Sequence, residues 1–200
     1  MRVLSQFWRI YRTAAPGKRL VALRAALRRK MAPAVSDGLI VYKLDEQAYR
    51  AGKLVPWPEG LSVTRYETLV AIPPAVRETV EPDVRERLWS EFASEFANGG
   101  VLWIGQIGGT LAASQWCIRG SRLGPWYVPL QPNDLVIYAA GTQNAFRGRG
   151  IHPAMIRYIM EHEPHDGGAI YCDALAWNVV AQKNIEKAGY RPILHKSPAR

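Results

Sequence analysis

From Phe96 to Ile118 the chain runs for 23 residues without a charged side chain. An apolar helix of that length could cross a bilayer. This stretch, however, carries Gly99, Gly100, Gly105, Gly108 and Gly109 together with Gln106, Ser114 and Gln115. Gly108-Gly109 stands midway between two β-rich runs, Val101 to Ile107 and Thr110 to Ile118. Glycine weakens a helix, whereas a glycine pair makes a tight two-residue turn, so the segment reads as a β-hairpin and not as a membrane helix.

On either side of the hairpin the apolar pattern alternates between strand and helix. Gly38 to Leu44 reads as a first strand, and residues 51 to 76, with prolines at 56, 58, 73 and 74, read mostly as loop or irregular linker. Pro82-Asp83-Val84 opens a helix through Leu88, Phe92 and Phe96 that Asn98-Gly99-Gly100 closes. A Pro- and Trp-containing insert, Leu123 to Pro132, leads into a buried strand at Leu135-Val136-Ile137-Tyr138-Ala139-Ala140. After a basic turn, Ile151, Met155, Ile156 and Ile159 recur at helical spacing. Asp166-Gly167-Gly168 turns the chain into a strand at Ala169 to Leu175, Asn178 to Ala188 reads as a helix ended by Gly189, and Tyr190 to Leu194 as a last strand. Hairpin, strand, helix, strand, helix, strand predicts an α/β (α+β) sandwich with a mixed central sheet flanked by helices.

Charge divides the chain unevenly. The net charge is +9, yet residues 1 to 31 hold nine Arg or Lys and no acid, while the other 169 residues hold 17 basic and 17 acidic groups. The body from residue 36 to 200 is therefore formally neutral, which argues against a nucleic-acid-binding domain. Residues 1 to 35 form a separate arm. Leu4, Phe7, Trp8 and Tyr11, then Leu20, Leu23, Leu27 and Met31, recur at helical spacing around Pro16-Gly17. Two short basic amphipathic helices fit this pattern, either packed on the domain or touching an anionic membrane surface through residues 1 to 31. Cys117 and Cys172 lie far apart with no metal-ligand spacing, as expected of buried thiols in a reducing, cytoplasmic setting.

The turn Phe146-Arg147-Gly148-Arg149-Gly150-Ile151-His152-Pro153 joins the buried strand to a helix start. Glycines let the main chain approach an anion, and first-turn amides with the helix dipole favour negative charge. Pro153 suits a first helical turn, where a missing N–H costs nothing. Taken alone, these residues suit a phosphate cradle and a basic surface turn equally well.

A second segment weighs in. Arg147-Gly148-Arg149-Gly150-Ile151 resembles the acetyl-CoA pyrophosphate loop of the GNAT superfamily of N-acetyltransferases. Asn178-Val179-Val180-Ala181 and Ile185-Glu186-Lys187-Ala188-Gly189-Tyr190 resemble that family's later segment, where an Asn follows a strand and a helix ends at Gly plus an aromatic. The resemblance spans roughly residues 36 to 195 and is specific from 135 to 193. It implies a GNAT-like sheet, acetyl-CoA as co-substrate without a metal, and transfer of an acetyl group to the amine of a small molecule or amino sugar by direct attack. A homodimer is compatible with it. The cofactor-binding set it implies is Ala140, Gly141 and Thr142 at a bulge where pantetheine enters, Arg147, Gly148, Arg149, Gly150, Ile151 and His152 in the cradle, and Asn178 on the cofactor arm. His152 departs from the usual Gly or Ala, and Ile185 stands where a Tyr often serves as general acid. Tyr138, Asp173 and Glu67 are the candidates for the catalytic base. Two other readings keep the fold: a long-chain or carrier-protein acyl donor with a membrane-proximal acceptor, and a catalytically degenerate CoA-binding module.

Overall fold

The computed structural model describes residues 38–51, 55–80, 82–164 and 167–196. The basic arm, 1 to 35, lies outside the described residues. Strand β1 (Leu39–Leu44) leads into helix α1 (Glu46–Ala51) and strand β2 (Leu61–Tyr66). A 3-10 turn (Leu69–Ala71) and helix α2 (Pro74–Glu78) precede the long helix α3 (Pro82–Ala97). Strands β3 (Val101–Ile107), β4 (Thr110–Arg119) and β5 (Leu135–Thr142) follow, then helix α4 (Ile151–His162), β6 (Ile170–Leu175), helix α5 (Val179–Lys187) and β7 (Tyr190–Lys196).

The seven strands form one sheet in the order β2-β3-β4-β5-β6-β1-β7. Every pairing is antiparallel except β5 with β6, the neighbours that α4 joins as a crossover helix. The sheet is the mixed one expected, and the glycine pair does turn the predicted hairpin: β3 and β4 pair from Val101↔Cys117 to Ile107↔Thr110. Its lack of charge has a physical cause. Leu102, Ile104 and Trp116 pack on one face against Phe92 of α3 and Val76 of α2. Trp103, Ala113 and Cys117 pack on the other face against Ile151, Met155, Ile156 and Ile159 of α4. A strand covered on both faces has no side on which to carry a charge. Helix α4 alone buries Ile151, Pro153, Ala154, Met155, Ile156, Ile159 and Met160, and each large apolar side chain among them contributes about 1.5–3 kcal/mol.

Helices α1 and α2 were not anticipated, and two strands also depart from expectation. Inside the segment read as linker, Leu61–Tyr66 is an edge strand registered from Leu61↔Ile107 to Tyr66↔Leu102. Its six residues contain no proline, and Leu61 and Tyr66 are buried, so pairing with β3 outweighs the flanking prolines. The last strand runs on to Lys196 despite Pro192, which an edge strand accommodates. β1, from the opposite end of the described chain, inserts antiparallel between β6 and β7. No helix among the described residues is long and apolar enough to cross a membrane.

Candidate functional site

The site arises where two neighbouring strands part. β5 and β6 pair only at Leu135↔Ile170, Val136↔Tyr171 and Ile137↔Cys172. β5 continues to Thr142 and β6 to Leu175, while β6 keeps its pairing with β1 from Lys43↔Tyr171 to Leu39↔Leu175. It is β5 that turns away. Its register with β4 jumps from Trp116↔Tyr138 to Ser114↔Gly141, so that Ala139 and Ala140 oppose the single residue Gln115. Such a bulge twists the strand that carries it. Ala139 takes the left-handed conformation, with φ +47°, at a cost of about 1–2 kcal/mol for a residue with a Cβ. Below the fork, the buried Asp134 carboxylate accepts from Gln131 N at 2.7 Å and Ala169 N at 2.8 Å, fixing where the paired portion begins.

A cavity of about 910 Å³ fills the fork and reaches the N-terminus of α4 and one side of α5. Ala140, Gly141, Thr142, Arg147, Gly148, Gly150, Ile151, His152 and Asn178 all line it. The turn that brings them there depends on Gly148 (φ +81°) and on Gly150 (φ +73°), which caps α4. Both need the left-handed region, and neither would have a Cβ in contact with protein, so the concave side of the turn stands open. The first-turn amides of Ile151 and His152 have no intrahelical acceptor. Arg147 stays at the rim, its Nε donating to Thr142 O at 3.2 Å. Lys187, from the last turn of α5, adds a second cation to the lining.

Arg149 and His152 offer the cradle less charge than their residue types suggest. Arg149 is outside the lining, its guanidinium 5.4 Å from the Phe146 ring centroid. His152 faces the cavity, and burial pushes its imidazole down to about 4, so it is neutral at pH 7 and adds no charge to the cradle. Asn178 takes two parts. Its Oδ1 accepts from Ala181 N at 3.2 Å as the cap of α5, and the residue lines the cavity.

The three candidate bases have separate fates. Asp173, at the open edge of the fork, lines the cavity, and burial raises its carboxyl above the usual range. Tyr138 also lines it, but its hydroxyl donates to Glu95 Oε2 at 2.7 Å. Burial and then that carboxylate push the phenol well up, away from the range of a base near neutrality. Glu67 is not part of the cavity lining. It is exposed and pairs with Arg65 at 2.6 Å, which in turn meets the buried Glu163 at 2.7 Å. Cys172 lines the cavity too, with burial raising its thiol. Ile185 is 4% exposed and part of the core packed under α4 and α5.

Sequence reasoning missed Glu95, in the last turn of α3, and Gln115, which shares its strand with Thr110 and Ser114 and so does not stand out among them. It also missed Tyr127 of the insert, whose phenol is raised by burial and by the nearby Asp173 charge. Among the described residues, no group of three or more His, Cys, Asp or Glu could hold a metal ion.

No protein-family model matches the sequence, and no curated protein matches it. Solved structures do match in fold. A GNAT-family acetyltransferase from Colwellia psychrerythraea superposes with a TM-score of 0.53 at 18% identity, over 80% of this chain and 53% of its own. A tandem GNAT protein from the clavulanic acid biosynthesis pathway gives 0.54 at 15% identity, over 88% of this chain and 59% of its own. A GNAT-family protein from Novosphingobium aromaticivorans, described as a putative acetyltransferase, gives 0.50 at 21% identity, over 80% and 61%. The chain thus spans 53–61% of the length of these solved chains. The fold is that of the GNAT acetyltransferases.

Proposed function

We propose that this GNAT-fold protein is an acyl-CoA-dependent N-acyltransferase that moves an acetyl group from acetyl-CoA to the amine of a small molecule. One observation carries the reading: the parted strands β5 and β6, the glycine turn and the open N-terminus of α4 line a single cavity. Its volume of about 910 Å³ lies near the upper end for ligand sites, which suits a molecule as long as coenzyme A.

The residues fit that ligand part by part. The amides at Gly148 to His152, with Arg147 and Lys187, suit a pyrophosphate. The unpaired edge of β5 beyond Ile137 leaves strand amides to bond an extended pantetheine arm. Bound acetyl-CoA supplies the activated thioester. The chain's own residues then hold the amine against it, orient its carbonyl toward a β5 amide near the bulge, and take a proton from the ammonium. Asp173 is the candidate for that proton. Its raised carboxyl is better matched to accepting a proton near neutrality than an ordinary aspartate. Ile185 has no ionisable group, so protonation of the departing thiolate falls to another group or to water.

Calorimetry with CoA, followed by thiol release from acetyl-CoA across a panel of amines, tests the reading. Binding with turnover of some amines supports transfer. Binding without turnover of any amine supports a CoA-binding module, and absence of binding overturns both. Turnover only of long-chain donors would favour the lipid-linked reading.

A further inference from the structure

Gln115 is a neutral carboxamide with an unanswered polar atom in the wall of the cavity. The residue is 3% exposed and lines the cavity, and its Oε1 has no hydrogen-bond partner. A buried polar atom without a partner costs stability, and a ligand group in the cavity is one source of that partner.

Its position narrows that use. Gln115 is the one β4 residue opposite the bulge at Ala139-Ala140, where β5 swings away from β6. Side chains alternate along a strand. Trp116 packs on the α3 face against Phe92, and Ala113 and Cys117 pack on the α4 face with Ile151 and Met155. Gln115 therefore shares the α4 face, the side from which the cradle delivers a ligand. Tyr138, bonded to Glu95 of α3, belongs to the opposite side. A primary carboxamide offers two donors and an acceptor, and rotation about its terminal torsion exchanges them at little cost in shape. The group that answers both ends is another amide, and the pantetheine arm of CoA carries two.

We propose that Gln115 is a donor-binding residue that pairs its side-chain carboxamide with an amide of the pantetheine arm. The inference rests on the CoA reading above. It predicts that the ligand, not the fold, is what Gln115 serves.

The test is Gln115→Met, close in volume and without hydrogen-bonding groups, with Gln115→Leu as a second variant. Calorimetric Kd values are measured for CoA and for 3′-phosphoadenosine 5′-diphosphate, which keeps the phosphates and lacks the pantetheine arm. The expected result is CoA binding weakened about tenfold, nucleotide binding unchanged, and a ligand-free melting temperature equal to or above that of the wild type. Unchanged CoA binding overturns the proposal, as does equal weakening of both ligands. A lower ligand-free melting temperature in both variants assigns Gln115 to the fold and overturns it as well. Intact CoA affinity with a raised KM for the amine shows that Gln115 reads the acceptor instead, which also overturns it. Wild-type protein that binds neither ligand fails the CoA reading itself, whereas wild-type binding matched by the variants fails this inference alone.

Discussion

At Asp173 a single carboxyl serves opposing ends. Burial holds its folded pKa above the ordinary 3.8, so between those two values the folded state binds more protons than the unfolded one. Stability then falls as pH rises through that window, and ionised Asp173 is a net liability above it. Asp173→Asn is expected to raise the melting temperature at pH 7 while lowering kcat about a hundredfold and removing the acidic limb of the pH–rate profile. A wild-type profile in the variant would exclude Asp173 as base. His152 works in the other direction. Its folded value near 4 lies below the ordinary 6.5, so the unfolded state binds more protons between them and stability is lost as pH falls through that interval. Urea titrations at pH 7 and pH 5 should show this loss in the wild type, at most about 1.4 kcal/mol per pH unit, and a smaller loss in His152→Gln. Both residues were singled out in the sequence; their protonation states were not, because burial is a property of neighbours.

Among elements, the glycine turn and β1 carry the most testable weight. Gly150 holds φ +73° at the cap of α4, where its carbonyl accepts from Ala154 N at 3.3 Å. Gly150→Ala forces a Cβ into the left-handed region and should cost about 1–2 kcal/mol in denaturant unfolding, with CoA affinity falling as the first-turn amides shift. Full stability and affinity in that variant would show that the cradle does not depend on this backbone geometry. β1 lies inside the sheet, between β6 and the edge strand β7, although it opens the described chain. Val41 is fully buried and registered between Asp173 of β6 and Leu194 of β7. Val41→Pro places a proline in a strand paired on both sides and should cost about 3 kcal/mol or more, read by the same unfolding curves. The glycine turn was legible in the sequence because its chemistry is local. The place of β1 was not, since its partners lie more than a hundred residues away.

For the molecule as a whole, ligand binding and stability are one measurement. If acetyl-CoA binds the folded chain alone, concentrations a hundred times Kd add about 2.7 kcal/mol. For a chain of this size that is a rise of about 5–10 °C in melting temperature. The same shift with CoA, and a smaller one with 3′-phosphoadenosine 5′-diphosphate, would divide the binding between the cradle and the fork. No shift with any of the three would remove the cavity from consideration as a CoA site.

Strand and helix periodicity, glycine turns and the basic cradle could be read from the chain directly, because each is set by residues close in sequence. The hairpin at Gly108-Gly109, the helix from Ile151 and the Asn178 cap all formed where their own residues required. The edge strand Leu61–Tyr66 did not show, since only pairing with β3 turns a proline-flanked segment into a strand. The family resemblance anticipated a bulge at Ala140 to Thr142, but its register opposite Gln115, the extent of the fork between β5 and β6 and the unpartnered Oε1 of Gln115 belong to the tertiary structure. A cavity is a space between elements, and its depth, its protonation states and its unanswered hydrogen bonds follow from how distant segments pack.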